Sequence, residues 1–294
     1  MRLAPMAEAE ITLAVVTRDR ADQLAHYLLP SLESMLATGY PVVVVDQSAD
    51  DSTKRLLRPL PGIRYLRSDP GISRARNAAV RATGTPLLAF TDDDVSVFDG
   101  WLDSIVRLFD VNPDAGVVCG RGVRSDGSLL PGVHAGAYRW PTNPFGLGHG
   151  FNIAIRRAVF EQVGLFDEEL GAGAPYASGE DTDMVYRAMK AGWAVLCSDE
   201  ITVVHHDWRT GSDEVRLHAG YGLGAGAQVA RHVAAGDRTM LRIALLEVGR
   251  HLVTAARALV TLQPHLFRIQ LAFLGGLVRG FVRSRSAQPA AIRS

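Results

Sequence analysis

Short apolar runs that end in a polar residue recur along the first half of the chain. Ile11-Thr-Leu-Ala-Val-Val-Thr17 is the first, Pro41-Val-Val-Val-Val-Asp46 the second and residues 63–67 the third. Pro86-Leu-Leu-Ala-Phe90 follows, then Thr91 and three carboxylates, Asp92, Asp93 and Asp94. Runs of this length, apolar at successive positions and bounded by polar turns, predict buried strands of a parallel sheet. Between them the spacing of apolar residues lengthens. Leu24, Leu28, Leu32 and Leu36 predict a helix over residues 21–37, with Asp19 or Asp22 as cap. A second helix opens after Gly71 and runs to about residue 82, and a third covers residues 101–110. Residues 116–119 form a further strand. Strands alternating with helices predict βαβ units and a mostly parallel α/β sheet flanked by helices.

The second half is less regular. Residues 121–150 are rich in Gly and Pro, carry His134, Trp140 and His149, and read as a long loop of the kind that is often functional. Residues 150–157 predict a strand leading into a helix at 158–163. The Gly-rich segment 171–179 ends in Glu180-Asp181-Thr182-Asp183, which opens a helix stopped by Gly192. Acids in a first helical turn are favoured by the helix dipole, so capping is a fair reading of Glu180 and Asp183. Two strand-like segments, 194–196 and 201–204, lead to His205-His206-Asp207. A helix over 212–234 contains Tyr221-Gly-Leu-Gly-Ala-Gly226. Glycines weaken a helix, so close packing against another element or a ligand is expected there.

The last 64 residues change the picture of charge. The whole chain of 294 residues is neutral, with 47% hydrophobic and 21% charged residues, a globular composition with no overall pull toward nucleic acid. Residues 231–294, however, hold ten Arg, no Lys and two acids, a net of +8. The rest carries −8. This predicts an acidic body, residues 1–230, and a basic helical tail, residues 231–294. In the tail Leu241, Leu245, Val248, Leu252, Ala256 and Leu259 form one stripe, with Arg242, Arg250 and Arg257 on another face. Phe267, Leu271, Leu274, Val278 and Phe281 form a second stripe beside Arg268, Arg279 and Arg283. Such helices suit an anionic membrane surface. Packing on the body, or on a second subunit in an oligomer, is the alternative. Cys119 and Cys197 lack the spacing of a zinc site and read as buried thiols in a reducing cytoplasm. Residues 1–10 hold no signal-peptide core and no run of eighteen residues is uniformly apolar, so the expected location is cytoplasmic, peripheral on the inner face of the membrane.

Candidate chemistry gathers at the strand ends. Thr17, Arg18, Asp46, Asp92 and Asp94 fall at the carboxyl edge of the predicted sheet, where open α/β sheets bind ligands. Three adjacent carboxylates need a cation, arginines or open water, and Mg²⁺ takes one or two carboxylates beside water and phosphate. Arg74 and Arg76 stand at a helix start, a suitable place for phosphate. No GxGxxG follows the first strand and no GxxxxGK[ST] occurs, which argues against a dinucleotide enzyme or a P-loop ATPase. The set describes a nucleoside diphosphate site.

The motifs VVTRDR, VVVVDQS, GISRARNAAV, FTDDD, GHGFNIAIRR, GLFDEELGAGAPYASGEDTDMVYRAMKAGW and ITVVHHDWRT, in this order, resemble a family 2 glycosyltransferase of GT-A fold over about residues 11–230. The resemblance implies inverting transfer of a sugar from a nucleoside diphosphate, assisted by Mn²⁺ or Mg²⁺, to a saccharide, lipid-linked or small-molecule acceptor. By position it implies Asp46 at the nucleobase, Asp92 at the ribose with Asp93 beside it, and Asp94 on the metal as in a DXD motif. Arg74 or Arg76 approaches the diphosphate, and His205 or His206 faces metal or diphosphate. Asp181 is the implied general base, with Glu180 beside it. Trp101, His149 and Asn152 are candidates for the acceptor pocket. Two rivals differ in class. A metal-dependent nucleotidyltransferase would want a glycine-rich loop where Arg18-Asp-Arg20 stands. A non-catalytic nucleotide-sugar-binding scaffold at the membrane would not need both carboxylate motifs.

Overall fold

The computed structural model describes residues 10–132, 134–206 and 211–287. They form two compact units, Met1–Phe166 with Asp181–Asp207, and Asp167–Glu180 with Trp208–Ser294. The expected boundary at residue 230 therefore falls inside a helix. The chain changes unit near residue 207, and the segment before Asp181 also belongs to the second unit.

In the first unit the order begins β1 (Ile11–Thr17), α1 (Ala21–Gln23), a π turn (Leu24–Leu28), α2 (Leu29–Ala37), β2 (Val42–Asp46) and α3 (Ser52–Leu57). It continues with β3 (Ile63–Arg67), α4 (Ile72–Ala82), β4 (Leu87–Asp92), β5 (Val95–Ser96), α5 (Trp101–Val111) and β6 (Ala115–Arg124). Then come β7 (Gly136–Tyr138), β8 (Ile153–Arg156), α6 (Arg157–Val163), α7 (Glu180–Lys190) and β9 (Ala194–His205). The sheet order is β3-β2-β1-β4-β8-β6-β9-β5, with β7 also on β9. β3, β2, β1 and β4 are mutually parallel, whereas β8 is antiparallel to both β4 and β6. The register pairs Thr17 with Asp46, Asp46 with Arg67 and Val16 with Asp92. One edge of the sheet thus gathers the polar strand ends.

Alternation along the buried strands sorts the core into two faces. Leu13, Val15 and Val44 pack with Leu24, Leu28, Leu32 and the α5 residues Trp101, Ile105 and Phe109. Ala14, Val16, Val43 and Val45 pack with Ala75 and Ala79 of α4 and Val185 and Met189 of α7. Leucines spaced by four drift around an ordinary helix. The π turn, closed by a bond from Leu29 N–H to the Leu24 carbonyl, widens that stretch and keeps the stripe on the core. The two expected strands after residue 194 are one, β9, and the expected loop 121–150 contains the end of β6 and all of β7. Cys119 and Cys197 are buried register partners on β6 and β9, both as free thiols.

The second unit is built on three helices, α8 (Gly211–Ala234), α9 (Arg238–Val260) and α10 (Pro264–Ala287). Its glycines explain themselves. A Cβ on Gly222 or Gly226 would land on the Phe273 or Leu277 carbonyl oxygen, and one on Gly276 or Gly280 on those of Ala219 or Leu223. α8 and α10 therefore touch backbone to backbone, which only glycine permits. Gly224 gives the same clearance to Ser178, whose hydroxyl donates to the Gly220 carbonyl at 2.9 Å. Arg231 pairs with Asp167 and Glu169 and lies over the Tyr176 ring, fixing the 167–180 segment. α9 is capped by Asp237, which accepts from Thr239 and Met240 N–H. It buries Met240, Ile243, Ala244, Glu247 and His251 and leaves Leu245, Leu246, Leu252, Val253, Leu259 and Val260 exposed. Among the described residues no helix is long and apolar enough to cross a membrane.

Candidate active site

A cleft of about 650 Å³ opens over the ends of β1, β2 and β3. Arg18, Gln47, Ser48, Arg67, Asp69 and Arg74 are among its walls. Gly71, at φ +129°, turns the chain into α4 and brings Arg74 to the cleft. Gln47 holds that turn by donating to the Gly71 carbonyl at 2.7 Å. Asp46 lies beneath, closed to solvent. It accepts from Ser48 N–H at 2.8 Å and from the Tyr65 hydroxyl at 2.7 Å, and stands 3.6 Å from Arg67. Asp46 thus holds Ser48 and lies near Arg67, both of which wall the cleft.

The carboxylate triplet sits where β4 ends, and its three members point to different partners. Asp93 is buried, accepting from the Thr17 hydroxyl at 2.7 Å and from Arg20 at 3.1 Å. Burial pushes its carboxyl up to about 6, against the opposing pull of Thr17 and Arg20. Asp94, also buried, takes the same Arg20 nitrogen at 3.3 Å and faces His205 Nε2 at 3.6 Å. Burial also raises the Asp92 carboxyl, with Arg76 the main opposing charge at 3.8 Å. Arg76 is buried between the Phe90 and Phe166 rings and donates to the Gly150 carbonyl at 2.9 Å. The internal Arg76 and the partly buried Arg20 therefore offset a carboxylate cluster that would otherwise repel itself.

His205 and His206 part ways, as neighbours on a strand must. His205 turns to Asp94. His206 is bonded to Ser96 Oγ at 2.9 Å and Ser125 Oγ at 3.0 Å and stacks on Tyr27 at 4.0 Å. Burial, then His205, lower its imidazole below the ordinary value. From His205 a row of rings leads onward, Phe151 at 4.7 Å and His149 stacked on Phe151 at 4.9 Å. Burial lowers the His149 imidazole, Asp181 opposes that and His205 adds to it, so His149 lies within electrostatic reach of both. Asp181, in the first turn of α7, is half-buried. Its Oδ1 accepts from Thr182 N–H at 2.7 Å and the Thr182 hydroxyl at 3.2 Å. Glu180, the first residue of α7, is buried. Asp183 pairs with Arg187 at 2.7 Å, and Arg187 also binds the Val163 and Leu165 carbonyls, so Asp183 anchors the turn after α6.

Several expected site residues prove to be framework. Trp101 is wholly buried in the core under α5, so it cannot line an acceptor pocket. Asn152 is equally buried and donates to the Arg121 and Ile201 carbonyls at 3.0 and 2.6 Å, clamping β6 to β9 where their register shifts. Thr17 serves Asp93 and is closed to solvent. Of the two candidate arginines, Arg74 is exposed at the cleft and Arg76 is internal. His206 is held away from Asp94 by its serines. Asp207 and the residues to 210 lie outside the described residues. Arg20 and Arg67 were not singled out from sequence, although Arg20 stands two residues beyond Arg18 and Arg67 ends a strand beside Asp46.

An imidazole and a carboxylate facing each other at strand ends form a donor pair suited to Mn²⁺ or Mg²⁺, with phosphate and water filling the other positions. Among the described residues no group of three His, Cys, Asp or Glu completes a cage. The residues present fit a shared protein–phosphate metal site.

Comparison with known proteins bears on the fold and the family. The chain resembles the mannosyltransferase PcManGT from Pyrobaculum calidifontis, solved with GDP-Man and Mn2+, at a TM-score of 0.60 and 16% identity, covering 94% of this chain and 88% of that one. It also resembles residues 1–349 of S. aureus TarS, with a TM-score of 0.56 and 15% identity over 96% of this chain and 93% of that one. The fold is of the GT-A type. In sequence it is 32% identical over 179 residues to a pre-mycofactocin glycosyltransferase of Mycobacterium tuberculosis, covering 55% of this chain and 36% of that protein. It is 25% identical over 236 residues to the O-antigen biosynthesis protein RfbC of Myxococcus xanthus, covering 67% of this chain and 17% of that protein. The chain thus spans about a third of the length of the first of these relatives or less. The family profile described as Glycosyl transferase family 2 matches residues 12–164, just over half of the chain. This chain belongs to glycosyl transferase family 2.

Proposed function

We propose that this protein transfers a sugar from a nucleoside diphosphate to an acceptor hydroxyl with inversion. The observation that carries the reading is the Asp92–Asp94 cluster facing His205 at the same sheet edge as the cleft walled by Arg18, Arg67 and Arg74. The nucleoside occupies the cleft, where Asp46 sets the positions of Ser48, Tyr65 and Arg67. Arg18 and Arg74 meet the diphosphate. Asp94 and His205 hold the divalent ion, with Asp92 toward the ribose. When bound, the ion offsets the negative charge that develops on the leaving diphosphate. Asp93 and Arg20 keep Asp94 in place.

Asp181 takes the proton of the acceptor hydroxyl as that oxygen attacks the anomeric carbon from the side opposite the diphosphate. Thr182 fixes one of its oxygens, and among the described residues no hydrogen bond engages Oδ2. That oxygen is available to the acceptor proton. His149 lies within electrostatic reach of this base and of His205. The exposed apolar face of α9, bordered by Arg242, Arg250 and Arg257, makes the peripheral contact with an anionic membrane at its cytoplasmic face.

Asp181→Asn separates this reading from a binding module. The amide keeps size and hydrogen bonding but accepts no proton. Nucleotide affinity should hold while turnover falls by roughly 10²- to 10⁴-fold, the span of general-base catalysis. Near wild-type turnover would place the base elsewhere.

A further inference from the structure

The π turn and the second histidine of the pair have no part in the chemistry above, yet they meet. A π turn inside a helix is frequent at functional sites. Here its Tyr27 ring stacks on the His206 imidazole at 4.0 Å and 13°. The hydroxyl of Ser96, in β5, donates its one proton to the Tyr27 carbonyl at 3.0 Å. Its oxygen is then left to accept, so the 2.9 Å contact with His206 is a bond donated by Nε2–H. In the neutral ring Nδ1 carries no proton, and it accepts from the Ser125 hydroxyl at 3.0 Å. A directed chain of bonds thus runs from Ser125 through His206 and Ser96 to Tyr27. It joins the end of β9 to β5, to the π turn and to the residue after β6.

What this chain of bonds clamps is the pair Asp94 and His205. β5 is only Val95 and Ser96, which pair with His205 and Val204 of β9. Asp94 comes immediately before β5, and the His206 N–H donates to its carbonyl at 2.9 Å. The 3.6 Å between Asp94 and His205 is therefore set across a ladder of two residue pairs. So short a ladder holds weakly by itself. Successive strand residues face opposite ways, so an anchored His206 presents His205 to Asp94. The neighbouring chain is held independently. Val95 and Val97 are buried in the core, and Ser31 donates to the Val97 carbonyl at 3.0 Å. Loss of the imidazole bonds then loosens the pair without releasing the segment.

We propose that His206 is a positioning residue for the metal. Bonded at both ring nitrogens, it holds the β5–β9 ladder so that Asp94 and His205 converge on one divalent ion. The proposal rests on the transfer reading and gives the second histidine an orienting role in place of a ligand role. Outer partners of this kind typically change metal affinity by about 10- to 100-fold.

The test is calorimetry of the full-length chain with GDP, UDP, ADP and CDP, each over a series of Mn²⁺ concentrations and with a chelator. His206→Gln keeps one donor and one acceptor, whereas His206→Leu fills the space with neither. His206→Leu should raise the Mn²⁺ concentration at half of the affinity gain by about tenfold or more, at unchanged metal-free affinity. His206→Gln should stay within about twofold of wild type, because its amide restores both bonds. Ser125→Ala removes one exposed hydroxyl and should shift the midpoint by about threefold, the scale of one hydrogen bond. A His206→Leu midpoint equal to wild type overturns the proposal. So does a metal-free affinity that falls by the same factor, which would make His206 a fold contact only, or His206→Gln failing as fully as His206→Leu. Where His206→Leu melts too low to titrate, an unchanged Ser125→Ala midpoint overturns it. A wild type that gains nothing from Mn²⁺ with any nucleotide is a different failure, that of the metal reading itself, and it removes this proposal as well.

Discussion

The two units use hydrophobic residues in opposite ways. In the first, large side chains face inward: Trp101, Phe90, Phe109 and the leucines of the π turn are wholly buried, and the buried carboxylates Asp46, Asp93 and Asp94 gather at a sheet edge. In the second, the inner contacts of α8 and α10 are glycine and alanine, while Leu245, Leu252, Val253, Leu259 and Val260 of α9 point out. The first unit hides its apolar surface and presents an acidic site. The second hides backbone and presents leucine bordered by arginine. An apolar stripe therefore shows that a helix has two faces without telling which one is inside. The inner face of a helix can be the one with the smallest residues.

Mirror substitutions should break or sharpen this contrast most strongly. Trp101→Ala should cost about 3–5 kcal/mol, the usual range for truncating a buried aromatic. Leu252→Ser should lie within about 0.5 kcal/mol of wild type, as for an ordinary surface position. In the second unit enlargement is what hurts. Gly226→Val drives side-chain carbon into the Leu277 carbonyl and should destabilise by about 1–3 kcal/mol or more. Denaturant titrations of the four proteins decide it; a costly Leu252→Ser would mean that this face is covered.

A smaller effect is expected on membranes. Leu245→Ser with Leu252→Ser should lower affinity for anionic vesicles, and wild-type binding should weaken as salt rises. Cosedimentation at two ionic strengths measures both. If the intact chain ignores such vesicles at low salt, the outward face serves another contact.

The smallest effect concerns pH. His251 is buried, bonded to Gln270 at 2.6 Å and stacked on Phe273, with Glu247 and Arg250 beside it and His218 near. Burial is the main reason its imidazole is lowered. The unfolded chain then binds the proton more readily than the folded one, so stability rises with pH up to the ordinary His value of about 6.5 and falls below it. Melting of wild type and His251→Gln between pH 5 and 8 should show the wild-type slope and a flatter variant.

Much of the first unit was legible because its signals are local. An apolar run that stops at a carboxylate needs no tertiary knowledge, and Asp46 and Asp92 were placed that way. Partnerships were not legible, because they depend on register. Arg20 reaches Asp93 and Asp94 across 73 and 74 positions. Arg74 and Arg76, two residues apart on a helix, had to face different ways. Ala79 and Val80, three and four residues beyond Arg76, mark its side as the inner one. Trp101 stood as a candidate for the acceptor pocket. Ile105 and Phe109, four and eight residues on, make the same case for core. Asn152 gave no such sign, since its role lies in a register shift between two other strands. In the tail the stripe was visible, but its direction was decided by glycines on α8 and α10.

The central claim is that Asp94 and His205, at the end of the acidic sheet edge, hold a metal that joins the protein to a nucleoside diphosphate. Calorimetric titration of a panel of nucleoside diphosphates, with Mn²⁺ and with a chelator, tests it on the wild type and Asp94→Ala. At least one nucleotide should bind the wild type about tenfold tighter or more with Mn²⁺, a gain of roughly 1.4 kcal/mol. Asp94→Ala should erase that gain and keep the metal-free affinity. Equal wild-type affinity with and without metal, across every nucleotide that binds, would contradict the account.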